Sequence, residues 1–457
     1  MGRFKFIHAA DVHLGSLLSV EGLDARPELK DLCYQATYTA FENICRLAEE
    51  SEASFVLLSG DVYDQEARSV RANRFFVDCC KKLNEAGIQV YVLAGNHDPV
   101  REYQEMFILP ENTHLISADK PEIHYVKDKE GADIAAIIGQ SYGSRQVTEP
   151  LHLSYPKPER GIFSIAMLHT QLESGRSSYI PANLGELSEN PNFDYWALGH
   201  IHKPQVLRLE KPAVLYPGTP QGRDFGEQNT GGCWLIGIDQ GEIESFTYWA
   251  VSPVEYQSLA IDIGCPELKE ADSLDELEKY ILSQAAKLSD KGRRRPDLEN
   301  WGAGSRINFN LDAAQIAGFI LRLEISGRGR LHSYLQKDRQ DIEQNLCEHL
   351  RFELGSRKPF VWIDSVRIRT ASPVTAEILD RHPVLKQLLE DVIQTLETDE
   401  SKRKEFISQL GYAWTTSFHY EEPDDEHLPL DQDTLTHIIE EAKQELLEGV
   451  AEEGGEA

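Results

Sequence analysis

Carboxylates, imidazoles and one amide recur in this chain where an apolar run has just ended. They are Asp11 and His13 in AADVH, Asp61 and Asp64 in GDVYD, Asn96, His97 and Asp98 in AGNHDP, His169 in SIAMLH, and His200 and His202 in LGHIH. Oxygen and nitrogen donors without a thiolate suit Mn, Fe or Zn, and a carboxylate among them can bridge two cations ~3.5 to 4 Å apart. Such a pair serves phosphoryl chemistry: it lowers the pKa of a shared water and neutralises charge building on phosphoryl oxygens during in-line attack. It would draw an anionic ester even to a chain of net charge −30.

What must position these groups is a parallel sheet. The run FVLLS, residues 55–59, is uninterrupted in its apolar character and predicts a central strand covered on both faces, with Gly60 turning the backbone so that Asp61 projects from the carboxyl edge. Residues 4–10 predict a first strand, and strand alternation then puts Asp11 and His13 on one side. His8, inside that strand, reads as a satisfied core histidine. Apolar residues at helical spacing predict helices over residues 32–50 and 71–86, and a third strand over 89–94. This is β-α-β-α-β, and ligands of such sheets collect at the carboxyl edge. Phe75, Phe76, Cys79 and Cys80 read as the packing face of the second helix, and Tyr195 and Trp196 as strand packing.

Composition removes several function classes. A net charge of −30 argues against non-specific coating of nucleic acid, which needs a basic face, while leaving room for a local basic groove or a cation that recruits phosphate. Seven cysteines without a C-x-x-C pair suit a reduced, cytoplasmic protein. The opening MGRFKFIHAADVH lacks the apolar region of a signal peptide, Phe6 breaks the myristoylation pattern, and no later run approaches the ~20 apolar residues that cross a bilayer. A soluble chain without membrane attachment is expected. There is no Walker A pattern, so ATP hydrolysis would have to come from a partner.

Taken in order, D-x-H, GDxxD, GNHD, a strand-end His and GHxH, from Asp11 to His202, resemble the calcineurin-like metallophosphoesterase superfamily. The resemblance implies that Asp11, His13 and His202 hold one metal and Asn96, His169 and His200 the other, with Asp61 bridging. His97 would be the unmetallated imidazole that contacts the scissile phosphate or protonates the leaving oxygen, and Asp64 the carboxylate that pairs with it. Within the superfamily, FIHAADVHLGS, GDVYD, AGNHDP and LGHIHKPQVL followed by YPGTPQGRDFGE are similar to DNA repair nucleases of the SbcD type, in their YhaO-like bacterial branch. That likeness covers the first half of the chain in sequence and the second half only in architecture. Some nucleases of the group carry a histidine at the position of Asp64. The group implies manganese-dependent cleavage of DNA, commonly as an exonuclease, beside an SMC-like ATPase of the SbcC or YhaN type. Members usually pair as homodimers through helices of the catalytic domain. In YPGTPQGRDFGE, Arg223 is expected to touch a phosphate.

After about Ser252 the pattern changes. Ser273 with Glu276 forms a capping box that opens a helix to Leu288. A Gly-Arg-Pro stretch, a strand over 318–326, a helix over 338–353 and a strand over 360–370 follow. Arg293, Arg294, Arg295, Arg328, Arg330, Arg367 and Arg369 are local basic residues suited to phosphate contacts. The remainder is helical and acidic, with an apolar stripe at Leu385, Leu388, Leu389, Val392 and Ile393, a linker EEPDDEHLPLDQD, and a last amphipathic helix over 435–447. Such a tail suits docking to the ATPase or packing on its own cap.

The expected fold is α/β, a four-layer αββα metallophosphoesterase sandwich (1–251) with a small α+β cap facing DNA (252–372) and a C-terminal helical region (373–457). The expected function is a two-metal DNA nuclease using Mn2+. Its rivals are a phosphoesterase acting on small nucleotides or phosphoprotein, and an inactive DNA-binding clamp.

Overall fold

The computed structural model describes residues 2–293 apart from 65–66, 103–105, 173–178 and 229. Beyond these it describes 306–371 apart from 313, 383–409, and residues 414–415, 428–429, 438–439 and 442. Arg294, Arg295, most of the acidic linker and most of the last expected helix lie outside the described residues.

Strand β1 (Phe4–Ala9) leads through helices α1 (Pro27–Tyr34) and α2 (Ala36–Glu50) to β2 (Phe55–Ser59), then through α3 (Val70–Glu85) to β3 (Gln89–Leu93) and β4 (Thr113–Leu115). The second run of strands is β5 (Glu122–Lys127), β6 (Asp133–Gly139), β7 (Phe163–His169), β8 (Tyr195–Gly199) after the short α4 (Leu184–Glu189), β9 (Gln205–Arg208) and β10 (Ala213–Tyr216). Strands β11 (Gly232–Asp239) and β12 (Glu242–Ala250) return to the first sheet. β13 (Val254–Asp262), helix α5 (Leu274–Lys291) and β14 (Ile307–Asn310) come next in the chain.

Two sheets result. One has the order β14-β12-β11-β1-β2-β3-β4, the other β5-β6-β7-β8-β10-β9. β1, β2, β3 and β4 run parallel, as do β6, β7, β8 and β10. The period of two explains the layering. Phe4, Phe6, Phe55 and Leu57 face one way and meet Ile137, Ile165, Met167, Tyr195 and Ala197 of the other sheet. Ile7, Val56 and Leu58 face the other way, onto Phe41, Ile44, Phe76, Cys79 and Cys80 of α2 and α3. The outer face of the second sheet is covered by Leu187 of α4 together with Tyr142, Ile180 and Phe193. The expected four-layer αββα sandwich is borne out, its fourth layer being thin and mostly loop. The single helix expected over 32–50 starts earlier, at Pro27, a favoured first helical residue, and divides at Gln35.

The chain forms two compact units. Residues 1–258, 285–322 and 349–365 make the first; residues 259–284, 323–348 and 366–457 make the second. Beyond the two large sheets there is a three-stranded sheet β13-β15-β16, with β15 at Gly318–Arg328 and β16 at Phe360–Ala371. Further helices span Arg339–Leu354, Pro383–Thr398 and Glu400–Gln409. At the start of α5, Glu276 accepts from Ser273 Oγ (3.1 Å) and from the backbone of Asp272 (3.1 Å). Among the described residues no helix is long and apolar enough to cross a membrane.

The arginines expected to meet phosphate part company here. Arg293 is buried, its guanidinium on Glu255 (2.7 Å), Ser252 and the Ala314 carbonyl (3.1 Å), so it is a core ion pair. Arg330 is exposed and paired with Glu270 at 2.7 Å. Arg367 and Arg369 stand on the exposed face of β16.

Candidate metal centre

Five strands end at one edge of the sandwich: β1, β2 and β3 of the larger sheet, β7 and β8 of the smaller. Each delivers donors. Asp11 and His13 follow β1, Asp61 follows β2, Asn96 and His97 follow β3, His169 closes β7, and His200 and His202 follow β8. The backbone is bent hard to do this. Asp11, His13, Asp61 and His200 have φ of 52°, 45°, 50° and 100°, the left-handed region that side chains other than glycine's rarely occupy, at roughly 1–3 kcal/mol each. Local hydrogen bonds hold it there: Asp11 N donates to Gly60 O (3.0 Å), His13 N to Asp61 O (3.1 Å) and His200 N to the Asp11 carboxylate (3.0 Å). Two glycines are obligatory for close approach. A Cβ on Gly60 would run into the His169 ring, and one on Gly95 into the Asp61 carboxylate.

All seven expected ligands are brought together. Asp11, His13 and His202 form one group whose donor atoms lie within 4.8 Å of one another, and Asp61, His169 and His200 form a second. Asn96 Oδ1 sits 2.9 Å from His169 Nε2 and 3.1 Å from His200 Nδ1. His13 Nε2 and His202 Nε2 face each other at 3.2 Å, and His169 Nε2 is 3.2 Å from Asp61 Oδ2. His169 Nδ1 donates to Ser59 O at 2.9 Å, which turns Nε2 toward the cluster. A third group, His13, Asp64 and His97, shares His13 with the first. His97 Nδ1 is 3.3 Å from Asp64 Oδ1, and its ring is 42% exposed where Asp11, His13, Asp61 and His169 are buried.

The electrostatics call for positive charge. Asp11 and Asp61 are both buried, His13 Nδ1 has no hydrogen-bond partner, and Asp61 Oδ2 faces only the His169 imidazole. Burial raises the Asp11 carboxyl, and the nearby Asp61 adds to this. Burial would also raise Asp61, but His169 outweighs it and holds that carboxyl far below its usual range. In return, Asp61 and Asp11 overcome the burial of His169 and push its imidazole up to about 9. Burial and the charge on His169 push His200 down to about 3. Two enclosed carboxylates and imidazole nitrogens converging on one pocket are a donor set that fits divalent cations. At the exposed edge, the hydrogen bond to His97 holds Asp64 down to about 2, and the same bond raises His97.

Three roles were not read from the sequence. Asp98 is buried and accepts from the backbones of Val62 (2.8 Å), Tyr63 (3.1 Å) and Gly95 (2.8 Å), tying the Asp61 loop to the Asn96 loop. Burial and the neighbouring Asp61 push its carboxyl up to about 6. Glu227 accepts from His202 Nδ1 at 2.6 Å. Arg223, expected to touch a phosphate, lies beside the cluster with its guanidinium on Glu227 (2.7 Å) and Asp64 (3.3 Å). The signal for Glu227 was the GRDFGE spacing, where Arg and Glu stand four residues apart.

Comparison with known proteins agrees with this geometry. The model of the Calcineurin-like phosphoesterase family matches residues 4–204. The "Uncharacterized metallophosphoesterase YhaO" of Bacillus subtilis (strain 168) is 35% identical over 290 residues, 63% of this chain and 69% of that protein. The chain belongs to the calcineurin-like metallophosphoesterases. Two further members match at lower identity. The "DNA double-strand break repair protein Mre11" of Methanocaldococcus jannaschii is 27% identical over 64% of this chain and 74% of its own length. The SbcD component of the nuclease SbcCD of Bacillus subtilis (strain 168) is 22% identical over 61% and 75%. The family likeness therefore lies on the SbcD and Mre11 side, and the protein is a hydrolase of phosphoric esters. Metallophosphoesterases of this family bind a dinuclear metal centre, and the ligand groups for one are present here.

Proposed function

We propose that the protein cleaves DNA phosphodiester bonds, as an exonuclease acting in DNA repair beside an SMC-like ATPase of the SbcC or YhaN type. The observation that carries this reading is the placement of His97. Its half-exposed imidazole, raised in pKa by Asp64, stands at the open rim of a seven-ligand cluster of which Asp11, His13, Asp61 and His169 are buried. Asp11, His13 and His202 would hold one cation and Asn96, His169 and His200 the other, with Asp61 between them. Two divalent cations, Mn2+ in this reading, supply Lewis acidity that readies water for attack near neutral pH and offsets phosphoryl charge.

The chain's own residues do the rest. Asp64 orients the His97 ring and favours its protonated form, so that His97 can meet a phosphoryl oxygen as a hydrogen-bond donor and pass its proton to the leaving oxygen. The floor of the ligand pocket, with Asp11, Asp61 and His169 out of contact with solvent, holds those donors in place.

DNA as substrate is supported by the names of the Mre11 and SbcD relatives. A cytoplasmic setting fits seven cysteines of which none is in a disulfide. For the ATPase, the helix Pro383–Thr398 presents Val384, Leu388 and Val392, each more than half exposed, at spacings of four. Homodimer formation belongs to the same reading. The test is digestion of linear duplex DNA across Mn2+, Mg2+ and Zn2+, beside bis-p-nitrophenyl phosphate and cyclic nucleotides. Mn-dependent release of nucleotides is expected, falling by roughly 10²–10⁴ in His97→Ala. Turnover of the small esters with indifference to DNA would replace this reading with a small-molecule phosphoesterase.

A further inference from the structure

The loop 222–227 does more than close the catalytic unit. Gly222 has no Cβ because the Glu227 carbonyl occupies that space, and the turn so formed presents Arg223 and Glu227 side by side. Tyr256 Oη anchors it by donating to the Arg223 carbonyl at 2.9 Å. Glu227 Oε1 sits 2.6 Å from His202 Nδ1 and 2.7 Å from one Arg223 nitrogen, while Oε2 accepts from the Arg223 backbone at 2.8 Å. The other end of the guanidinium reaches Asp64 Oδ2 at 3.3 Å, and Asp64 Oδ1 is the partner of His97.

We propose that Glu227 and Arg223 are positioning residues: Glu227 fixes the tautomer of His202, and Arg223 ties that carboxylate to Asp64, so ligand and rim imidazole are set by one ion pair. This deepens the two-cation reading and rests on it.

The physical reason is donor bookkeeping at one nitrogen. With Glu227 present, His202 Nδ1 carries the hydrogen and Nε2, 3.2 Å from His13 Nε2, is bare and able to ligate. Arg223 also lies close to that Nδ1, at 3.3 Å, and a guanidinium can only donate. If Glu227 loses its carboxylate, Arg223 becomes the nearest partner, Nδ1 turns acceptor, and the hydrogen moves to Nε2. A protonated Nε2 cannot hold a cation. Arg223 is therefore harmless only while Glu227 stands between.

The consequence is a non-additive pair of substitutions. In the metal-stripped whole chain, titrated with Mn2+ alone, wild type is expected to bind two ions. Glu227→Ala should weaken one of them by about 10–100-fold and leave the other unchanged. Glu227→Gln, whose carbonyl still accepts from Nδ1, should retain most of the affinity. The double variant Arg223→Ala/Glu227→Ala should bind better than Glu227→Ala alone, because the competing donor is gone. Arg223→Ala by itself should keep both ions but lower kcat, through the loosened Asp64 and His97.

Two Mn2+ ions bound by wild type and by Glu227→Ala with affinities within about twofold would overturn this inference and leave the metal centre standing. A double variant no better than Glu227→Ala would equally overturn it, since a merely structural loop predicts additive damage. Failure of wild type to bind Mn2+ would remove both. Should Glu227→Ala not fold, 15N spectra of the imidazoles in stripped wild type at alkaline pH decide the point. Hydrogen on His202 Nδ1 is expected, and hydrogen on Nε2 refutes the proposal.

Discussion

Two of the places where the first compact unit buries charge are treated in opposite ways. Around Arg293 each charged group meets its complement: Glu255 Oε1 takes the guanidinium at 2.7 Å and Thr230 Oγ1 at 2.9 Å, and Ser252 and Ala314 also accept from its terminal nitrogens. At the strand ends, Asp11 and Asp61 are enclosed together, His13 Nδ1 is left without a hydrogen-bond partner, and Asp61 Oδ2 has only the His169 imidazole, at 3.2 Å, opposite it. Burial of a charge is tolerable when it is paired and costly when it is not. A site that keeps unmatched acceptors in its interior is therefore built to receive something, whereas a fully matched pair is built to stay closed. Both are marked by one-letter codes of the same kind, and only their surroundings tell them apart.

Removing one member from each place tests the contrast. Asp61→Ala should cost at least about 4 kcal/mol of transition-state stabilisation, a thousandfold in rate with Mn2+ and a phosphodiester substrate. The same variant, stripped of metal, loses the ion pair with His169 and the bond to the His97 backbone but is relieved of repulsion with Asp11, so its stability in denaturant titration should fall by less than that of Arg293→Ala. Arg293→Ala should do the reverse. Stranding Glu255 should lower the stability of the stripped protein by about 3–5 kcal/mol in denaturant titration, with Mn2+ affinity unchanged. If Arg293→Ala is thermodynamically silent, or Asp61→Ala unfolds the stripped protein, matched and unmatched burial do not divide structure from function here.

The two places were unequally legible in the sequence. Asp11, Asp61, Asn96, His169 and His200 announce themselves because each follows an apolar run that must be a buried strand, and Gly60 and Gly95 mark the turns where no Cβ fits. Strand alternation then says which residues share an edge, and the four-layer sandwich follows from runs apolar on both faces. Partnerships across long sequence distance leave no such mark. Glu227 and Asp64 are 163 positions apart and are joined through Arg223 only by the meeting of two loops. Arg293 sits in a run of three arginines that reads as a solvated basic patch, and its burial depends on Glu255, 38 residues earlier. β14 likewise gives no warning that it will extend the catalytic sheet beside β12.

A third histidine environment sharpens the comparison at its smallest scale. His8 lies inside β1, three residues before Asp11, and both its nitrogens are served: Nε2 by the Leu198 carbonyl at 3.0 Å and Nδ1 by Tyr195 Oη at 2.9 Å. It is matched but neutral, because burial pushes its imidazole down to about 3. Its folded value lies below that of an unfolded histidine, so it contributes stability that is present above about pH 6.5 and is lost as the pH falls toward 3. Between pH 7 and pH 5 the unfolded chain takes up a proton that the folded chain refuses, which should remove about 2 kcal/mol of stability. His8→Gln cannot titrate. Whatever its baseline cost, its stability should fall by about 2 kcal/mol less over that interval, measured by urea unfolding of stripped protein at each pH. Equal slopes for the two proteins would mean that His8 accepts its proton in the fold. The interior of β1 would then be as receptive to charge as the strand ends beyond it.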